Sequence, residues 1–553
     1  MLAERPNKLS YVREEPVPRR RARPWRWIGE GLAVAAIVLM ALLLRTYNLA
    51  TVPLGLHGDE AITGLESARI LREGNIGPYS LDALGQPTGP FYLIAVAVRL
   101  LGPTILAVRI VPALLGTLTV LALFFVIRRT YGPTVALAGA ALLATQGWHL
   151  HFSRIGFPLA SWPLVTMLAA GALVEALRQN DWRWWGLTGL LLGLGVYCYN
   201  AHFFFIAIAA LFVALAVSVR CWRAGGLRGV ARCVAPVLVL PIVLGLVALP
   251  LLQYAADPRN GYSNHARAVS VTNLATWREL DDLGLRVGFL IGRYGEYWYQ
   301  ACCRTKVDGV DGSGTVPLLP PPLLALAVAG AVIGCGQRRG RPLALFGVCV
   351  ALLLPLSAVL TVDGAARRTF ALAPFVALFA GLALTWPLAR VRAYLGAVRG
   401  RTIFLPTLGL GAAAIVAILA QGAIDGYFGH FARSSEARWT FAVEMVDASR
   451  YLATLPPESR VYWYAGRWSA DYEIRRYLVP GVAIEERALD PDRRDGLAIT
   501  HEGGPIVFLF MGAHLAQIDA VRARYPGGQT IAGGPEAAPG FLAYRLDSPA
   551  AAR

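Results

Sequence analysis

The chain has 553 residues, 56% of them hydrophobic and only 16% charged, with a mean hydropathy of +0.50. A water-soluble domain carries about 25% charged residues, so that class is excluded for most of the chain. Lys and Arg outnumber Asp and Glu by 52 to 35, a net charge of +17, but the basic residues sit in short clusters between apolar runs, the pattern of cytoplasmic loops rather than of a nucleic-acid surface.

Residues 1–27 hold eight Lys or Arg against three Glu. The apolar run that follows is long and lacks a small-residue cleavage signal, so it reads as a retained first span with a cytoplasmic N-terminus. Apolar runs follow at 28–48, 88–101, 105–127, 133–149, 158–177, 184–199, 202–219, 234–255, 319–336, 342–362, 369–387 and 404–424. A helix of about 20 apolar residues crosses a hydrocarbon layer and satisfies its own backbone. The fold class is therefore an all-α polytopic membrane bundle of about 11 to 13 helices over 28–426, with outer loops at 49–88 and 256–318. The run 88–101 is short, at ~21 Å of helix, and is expected to insert partially or at a tilt. Basic loops at Arg128-Arg129, Arg178–Arg183, Arg220–Arg232, Arg338–Arg341 and Arg390–Arg401 are expected on one, cytoplasmic, side.

The opposite face collects Leu54–Pro90, His149–Phe157, Tyr197–Phe203, Asp257–Pro317 and Asp363–Thr369. Beyond residue 430 the pattern changes. An amphipathic helix near 436–454 precedes strands at 461–466, 505–511 and 541–547, with helical stretches near 469–478 and 513–524. That alternation predicts a small α/β extracytoplasmic domain over 430–553. The seven Cys show no zinc-site spacing, and nothing about disulfides follows from them.

Within Leu54–Pro90, Asp59 and Glu60 stand side by side before a helix-like segment. One reading is that they begin that helix, with Glu60, Glu66 and Arg69 on a solvated face and Ile62, Leu65, Ala68 and Leu71 on the other. The chemical reading is stronger for Asp59, because a Pro-bracketed turn, Gly85 to Pro90, feeds directly into the next apolar run. Arg109 lies inside an apolar run, where an ionisable group faces a cavity or a partner.

The ordered set Asp59-Glu60, Gln86-Pro87-Thr88-Gly89-Pro90, Arg109 in AVRIVPALLG, HFSRIGFP and RRTFALAP resembles the C-type-fold membrane glycosyltransferases that use lipid-linked sugars. The similarity is to the protein O-mannosyltransferase and aminoarabinose-transferase branches, glycosyltransferase families 39 and 83, and runs from about residue 30 to 390. Many relatives place Arg-Tyr soon after the acidic pair, where this chain has Ala61, Ile62 and Thr63, and a charged residue where it has Gln86. The resemblance implies a sugar moved from a polyprenyl-phosphate donor to a lipid, glycan or protein hydroxyl, with inversion, at the outer face of a bacterial-type cytoplasmic membrane.

Such a transfer needs a carboxylate to take the hydroxyl proton and cations to hold the departing phosphate. Asp59 and Glu60 are the catalytic candidates. Arg367 and Arg368, with Arg154 and Arg109 behind them, are the phosphate candidates. Gln86, His151, Tyr197, Tyr199, Asn200 and His202 are the substrate-binding candidates. Metal binding by His149, His151 and His202 is disfavoured, since residues two apart diverge on a helix; no cofactor is assigned, and a divalent metal is allowed but not favoured. The partners expected are membrane lipid, the donor and the acceptor, with no nucleic acid. The competing reading is a polytopic transporter or flippase, which would show paired repeats and mid-membrane polar sites; a structural or sensory protein would leave Asp59-Glu60 unexplained. The loop 257–317 is long enough for a lid or acceptor platform, and its RYGEYWYQ run is expected to stack on sugar or lie on headgroups.

Overall fold

A computed structural model describes residues 24–304, 317–363, 366–397, 404–487, 497–500, 504–534 and 539–547. The expectations placed on 1–23, on 305–316 of the long outer loop and on Arg401 lie outside those residues.

The apolar runs are helices. In chain order the first eleven are α1 (Pro24–Thr46), α2 (Gly58–Glu73), α3 (Gly89–Leu101), α4 (Ile105–Tyr131), α5 (Pro133–Thr145), α6 (Gly147–Phe152), α7 (Trp162–Gln179), α8 (Trp182–Gly195), α9 (His202–Ala224), α10 (Gly226–Val234) and α11 (Val239–Ala256). Two short outer-loop helices, α12 (Asn264–Ala268) and α13 (Ala275–Arg278), precede α14 (Leu283–Cys303). Then come α15 (Pro321–Gly336), α16 (Arg341–Leu353), α17 (Leu356–Val359), α18 (Ala373–Ala397) and α19 (Phe404–Ile424). Among the described residues eight helical segments are long and apolar enough to cross a membrane, and Gly89–Leu101, Pro133–Thr145 and Pro321–Gly336 are shorter apolar helices. The chain is a multi-pass membrane protein.

Small residues let the helices approach closely, as in other membrane bundles. A Cβ on Gly330 of α15 would lie 1.7 Å from the carbonyl oxygen of Phe379 on α18, and one on Gly381 would meet Gly139 of α5. The packed centre combines α4, α5, α7 and α18 through Leu123, Leu143, Leu173, Phe375 and their neighbours.

Beyond α19 the chain forms α20 (Ser435–Thr440), α21 (Val443–Leu452), α22 (Glu473–Leu478) and α23 (Ile518–Arg524) around a sheet. Two short strands in the first outer loop, β1 (Tyr79–Ser80) and β2 (Gln86–Pro87), pair antiparallel. The five-stranded sheet uses β3 (Arg460–Ala465), β4 (Ala483–Glu486), β5 (Ile506–Met511), β6 (Gln529–Gly533) and β7 (Phe541–Leu546) in the order β4-β3-β5-β7-β6. β3 is parallel to both neighbours; β7 is antiparallel to both of its own. Central strands covered on both faces read as unbroken apolar runs, which is why VYWYA and IVFLFM stood out while the edges β4 and β6 did not. The helix expected near 436–454 is split into α20 and α21 at Ala442, whose φ is 41°.

One face of this sheet packs onto the outer loop of the bundle. Val461, Trp463 and Leu509 share a core with Leu56 and Ala61 at the start of α2 and with Val108 of α4. The Leu56 N–H donates to the Phe441 carbonyl at 2.7 Å, and the Tyr477 hydroxyl donates to the Thr104 carbonyl at 3.1 Å. Gly64 of α2 is the contact point, since a Cβ there would lie 2.4 Å from the Tyr477 ring. Gly64→Ala is therefore expected to cost about 1–3 kcal/mol by overpacking, read as a lowered unfolding midpoint. Gly29→Ala, on a helix surface with nothing within 4 Å, is the neutral control. Equal midpoints for the two variants would refute this docking.

The orientation expected for α2 is corrected. Glu60 and Glu66 are buried, whereas Leu71 is exposed and Ile62 half-buried. The helix turns Glu60, Glu66 and Ser67 into the protein beside Ala61 and Ile70, and its exposed end carries Leu71 with Arg72 and Glu73.

Candidate active site

Residues 47–57 join α1 to α2 without regular structure, so their carbonyls need partners from elsewhere. Two buried arginines supply them. Arg154 donates to the carbonyls of Leu44, Tyr47 and Val52 at 2.6–2.8 Å. Arg109 donates to Leu49, Pro53 and Gly55 at 2.8–3.3 Å. This linker fixes where α2 begins.

At that point His57 caps the helix, its Nδ1 accepting from the Asp59 N–H at 3.0 Å. Glu60 reaches back to accept from the His57 N–H at 3.0 Å, completing a capping box. The same Glu60 carboxylate accepts from Arg109 Nε at 2.8 Å and Nη2 at 3.0 Å and from the Gly156 N–H at 2.6 Å. Burial pushes the Glu60 carboxyl up, but Arg109 and the two backbone donors more than reverse this and hold it below the usual carboxylate range. Glu60 and Arg109 are both 0% exposed. Adjacent residues on a helix point about 100° apart, and Asp59 faces the other way, into a cavity, with its side chain 29% exposed.

That cavity has a volume of about 570 Å³. Asp59 and Gln86 line it with Tyr199 and Asn200, and so do Arg367 and Arg368. Its remaining wall is mostly apolar, including Phe203, Leu251 and Leu252, and Phe203 and Leu252 are exposed on the flank of the bundle. Arg367 and Arg368 both pair with Asp363, so among the described ion pairs two guanidinium groups share one carboxylate. Arg368 also donates to the Thr361 hydroxyl, and Ser357 anchors the Arg368 carbonyl at 2.8 Å. Asn200 is held by the Gly85 carbonyl at 2.8 Å. Gln86 lines the cavity, and its Oε1 is buried without a hydrogen-bond partner among the described residues.

Six of the sequence candidates thus share one cavity, and the other six do not line it. Glu60 and Arg109 are consumed by each other, and Arg154 by the end of α1 and by the Tyr427 and Phe428 rings. His202 accepts from Trp162 Nε1 at 3.0 Å and contacts the Leu192 carbonyl at 2.9 Å. His151 is buried among Phe152, Tyr427 and Phe431. The Tyr197 hydroxyl donates to the Val247 carbonyl at 2.7 Å. For Glu60, Arg109, Arg154, His202 and Tyr197 the hydrogen-bond partners are protein atoms, as a buried polar group requires.

Sequence reasoning missed Tyr79, Tyr262 and His265, which also line the cavity. Burial, and then the like charges of Arg368 and Arg367, lower the His265 pKa, against an opposing pull from Asp363. Its signal was weak, one histidine in a long polar loop. The aromatic run of α14 does not line the cavity. Arg293 donates to the Val359 carbonyl at 3.0 Å and the Tyr297 hydroxyl to Thr369 Oγ1 at 2.7 Å, so α14 braces the turn that carries the arginine pair. Cys302 and Cys303, at the end of α14, form a disulfide.

Residues 85–244 match the family described as dolichyl-phosphate-mannose-protein mannosyltransferase. The undecaprenyl phosphate-alpha-4-amino-4-deoxy-L-arabinose arabinosyl transferase of Pseudomonas savastanoi pv. phaseolicola is 28% identical over 167 residues, 28% of this chain and 31% of that relative. The match therefore spans about a third of the curated relative. ArnT from Cupriavidus metallidurans has a similar fold in its apo state, with a TM-score of 0.52 at 14% identity, covering 95% of this chain and 98% of that one. The same enzyme bound to undecaprenyl phosphate gives 0.50 at 12% identity over 95% and 98%. At this identity the likeness establishes the fold.

Proposed function

We propose that this chain, which has the C-type membrane glycosyltransferase fold of the mannosyltransferase and aminoarabinose-transferase type, moves a sugar from a polyprenyl-phosphate donor to an acceptor hydroxyl. The observation that carries the reading is that Asp59 and the Arg367-Arg368 pair line one cavity with an apolar flank. The acceptor oxygen attacks the anomeric carbon. The bond from that carbon to the phosphate oxygen breaks, and the acceptor proton passes to the Asp59 carboxylate. The phosphate leaves on its lipid with the full negative charge, which Arg367 and Arg368 neutralise. A single displacement of this kind inverts the anomeric centre. Leu251, Leu252 and Phe203 take the first isoprene units, and Gln86, Tyr199 and Asn200 hold sugar hydroxyls. In ArnT the bound ligand named is undecaprenyl phosphate, and a polyprenyl phosphate is the donor class we assign here.

Pro158 beside the cavity and Gln179 beside Arg128, Arg178 and Arg339 stand at opposite ends of one helical span, and the sheet packs on the first outer loop, which supports our assignment of cavity and sheet to the outer side of a bacterial-type cytoplasmic membrane. The domain division of the chain, 28–426 for transfer and 430–553 for an outer α/β domain, belongs to the same proposal.

The test is transfer by the purified, reconstituted protein from a panel of radiolabelled polyprenyl-phosphate sugars. Arg368→Gln is expected to raise the donor KM by about 10- to 100-fold, the loss of one charge-assisted hydrogen bond of about 1.5–3 kcal/mol. An unchanged donor KM would remove Arg368 from the phosphate site. Movement of the lipid-linked sugar across vesicles with its phosphate bond intact would replace transfer by transport.

A further inference from the structure

A second cavity, of about 840 Å³, lies at the other end of the bundle. Helix α7 with its lead-in turn connects the two: Pro158 lines the first cavity and Gln179 the second. The 22 residues between them make about 33 Å of helix, a membrane thickness. The wall is formed by Phe125, Arg128, Arg129, Glu175, Arg178 and Arg339. Three of the basic segments that the sequence assigned to one side of the membrane therefore converge on one hollow.

The charges there do not balance. Glu175 accepts from Arg129 at 2.8 Å and from Arg178 at 2.9 Å, and Glu30 pairs with Arg128. Arg339 donates to the Arg129 carbonyl at 3.3 Å and has no carboxylate partner among the described ion pairs. Four guanidinium groups thus face two carboxylates, a surplus of two positive charges. Arg128 stacks over Trp27 at 4.9 Å and Arg129 over Trp184 at 5.6 Å, which places indole rings at the level of the cations, as at a membrane–water boundary. Phe125, on the wall, is 58% exposed, so the hollow continues into the apolar side of α4.

We propose that this hollow binds the headgroup of an anionic phospholipid, its phosphates on Arg128, Arg129 and Arg339 and its acyl chains along the Phe125 side of α4. A free phosphate or nucleotide would satisfy the arginines but would gain nothing from the exposed phenyl ring. A basic hollow between membrane helices on the loop-rich side is a setting in which anionic headgroups bind, and the surplus of two charges suits a lipid with two phosphates. The site is separate from the transfer cavity and does not rest on the proposed reaction.

The experiment uses the full-length purified protein and reads bound lipid by native mass spectrometry together with the unfolding midpoint. Cardiolipin is expected to bind and raise the midpoint, phosphatidylglycerol to do so less, and phosphatidylcholine not at all. Arg339→Gln is expected to weaken cardiolipin about 10-fold. Glu175→Gln, which releases Arg129 and Arg178 from their carboxylate, is expected to tighten it. Opposite shifts in these two variants distinguish a site from general loss of structure. Equal binding by both variants, equal binding of phosphatidylcholine, or equal stabilisation by pyrophosphate alone would each overturn the proposal, the last in favour of a soluble anion.

Discussion

Asp59→Asn is expected to lower kcat for sugar transfer by about a thousandfold while leaving the donor KM within about threefold. A positioned general base contributes about 10²–10⁴ in rate, and an interaction made only in the transition state shows in kcat rather than in binding. Asn preserves the shape of the side chain and of the helix start, because the His57 cap uses the Asp59 backbone N–H rather than its carboxylate. His57 Nδ1, 3.9 Å from that carboxylate, is already the acceptor of the cap hydrogen bond, so little of the fold depends on the Asp59 charge. Single-turnover transfer with a radiolabelled donor measures the effect, alongside donor binding to the same preparation. Undiminished turnover in Asp59→Asn would remove the base from the mechanism.

The neighbouring carboxylate should behave in the opposite way. Glu60→Gln and Arg109→Met are each expected to destabilise the protein by about 3–5 kcal/mol, the cost of leaving one member of a buried ion pair without its partner. Both side chains are fully enclosed, and the Arg109 guanidinium also carries three linker carbonyls. The double variant Glu60→Gln with Arg109→Met should cost less than the two single losses combined, since the pair acts as a unit. Thermal unfolding in detergent checks the stability. In whatever fraction of Arg109→Met folds, the donor KM should match the wild type, because Arg109 does not line the transfer cavity. A donor KM raised tenfold with normal stability would return Arg109 to the phosphate site.

These contrasting outcomes for Asp59 and Glu60 show what a linear sequence conveys. The bundle was legible because apolar runs of helical length have few alternatives in a membrane: each of the twelve runs appears as a helix, and the shortest, at 88–101, is the 13-residue α3. The strands VYWYA and IVFLFM were legible because buried central strands are apolar on both faces. The partial charge count around Asp363 was not, since one carboxylate is shared by two arginines only after the turn forms.

The sequence by itself determined the membrane-spanning class and the positions of the apolar helices, though not of α14 (Leu283–Cys303) within the long outer loop, because hydropathy and charge act locally along the chain. The tertiary structure decided which polar groups line the cavity. Glu60, Arg109, Arg154, His151, His202 and Tyr197 have the same composition signal as Asp59 and Arg368. They differ in which of them line the cavity, and that depends on contacts between segments as far apart as residues 60 and 156.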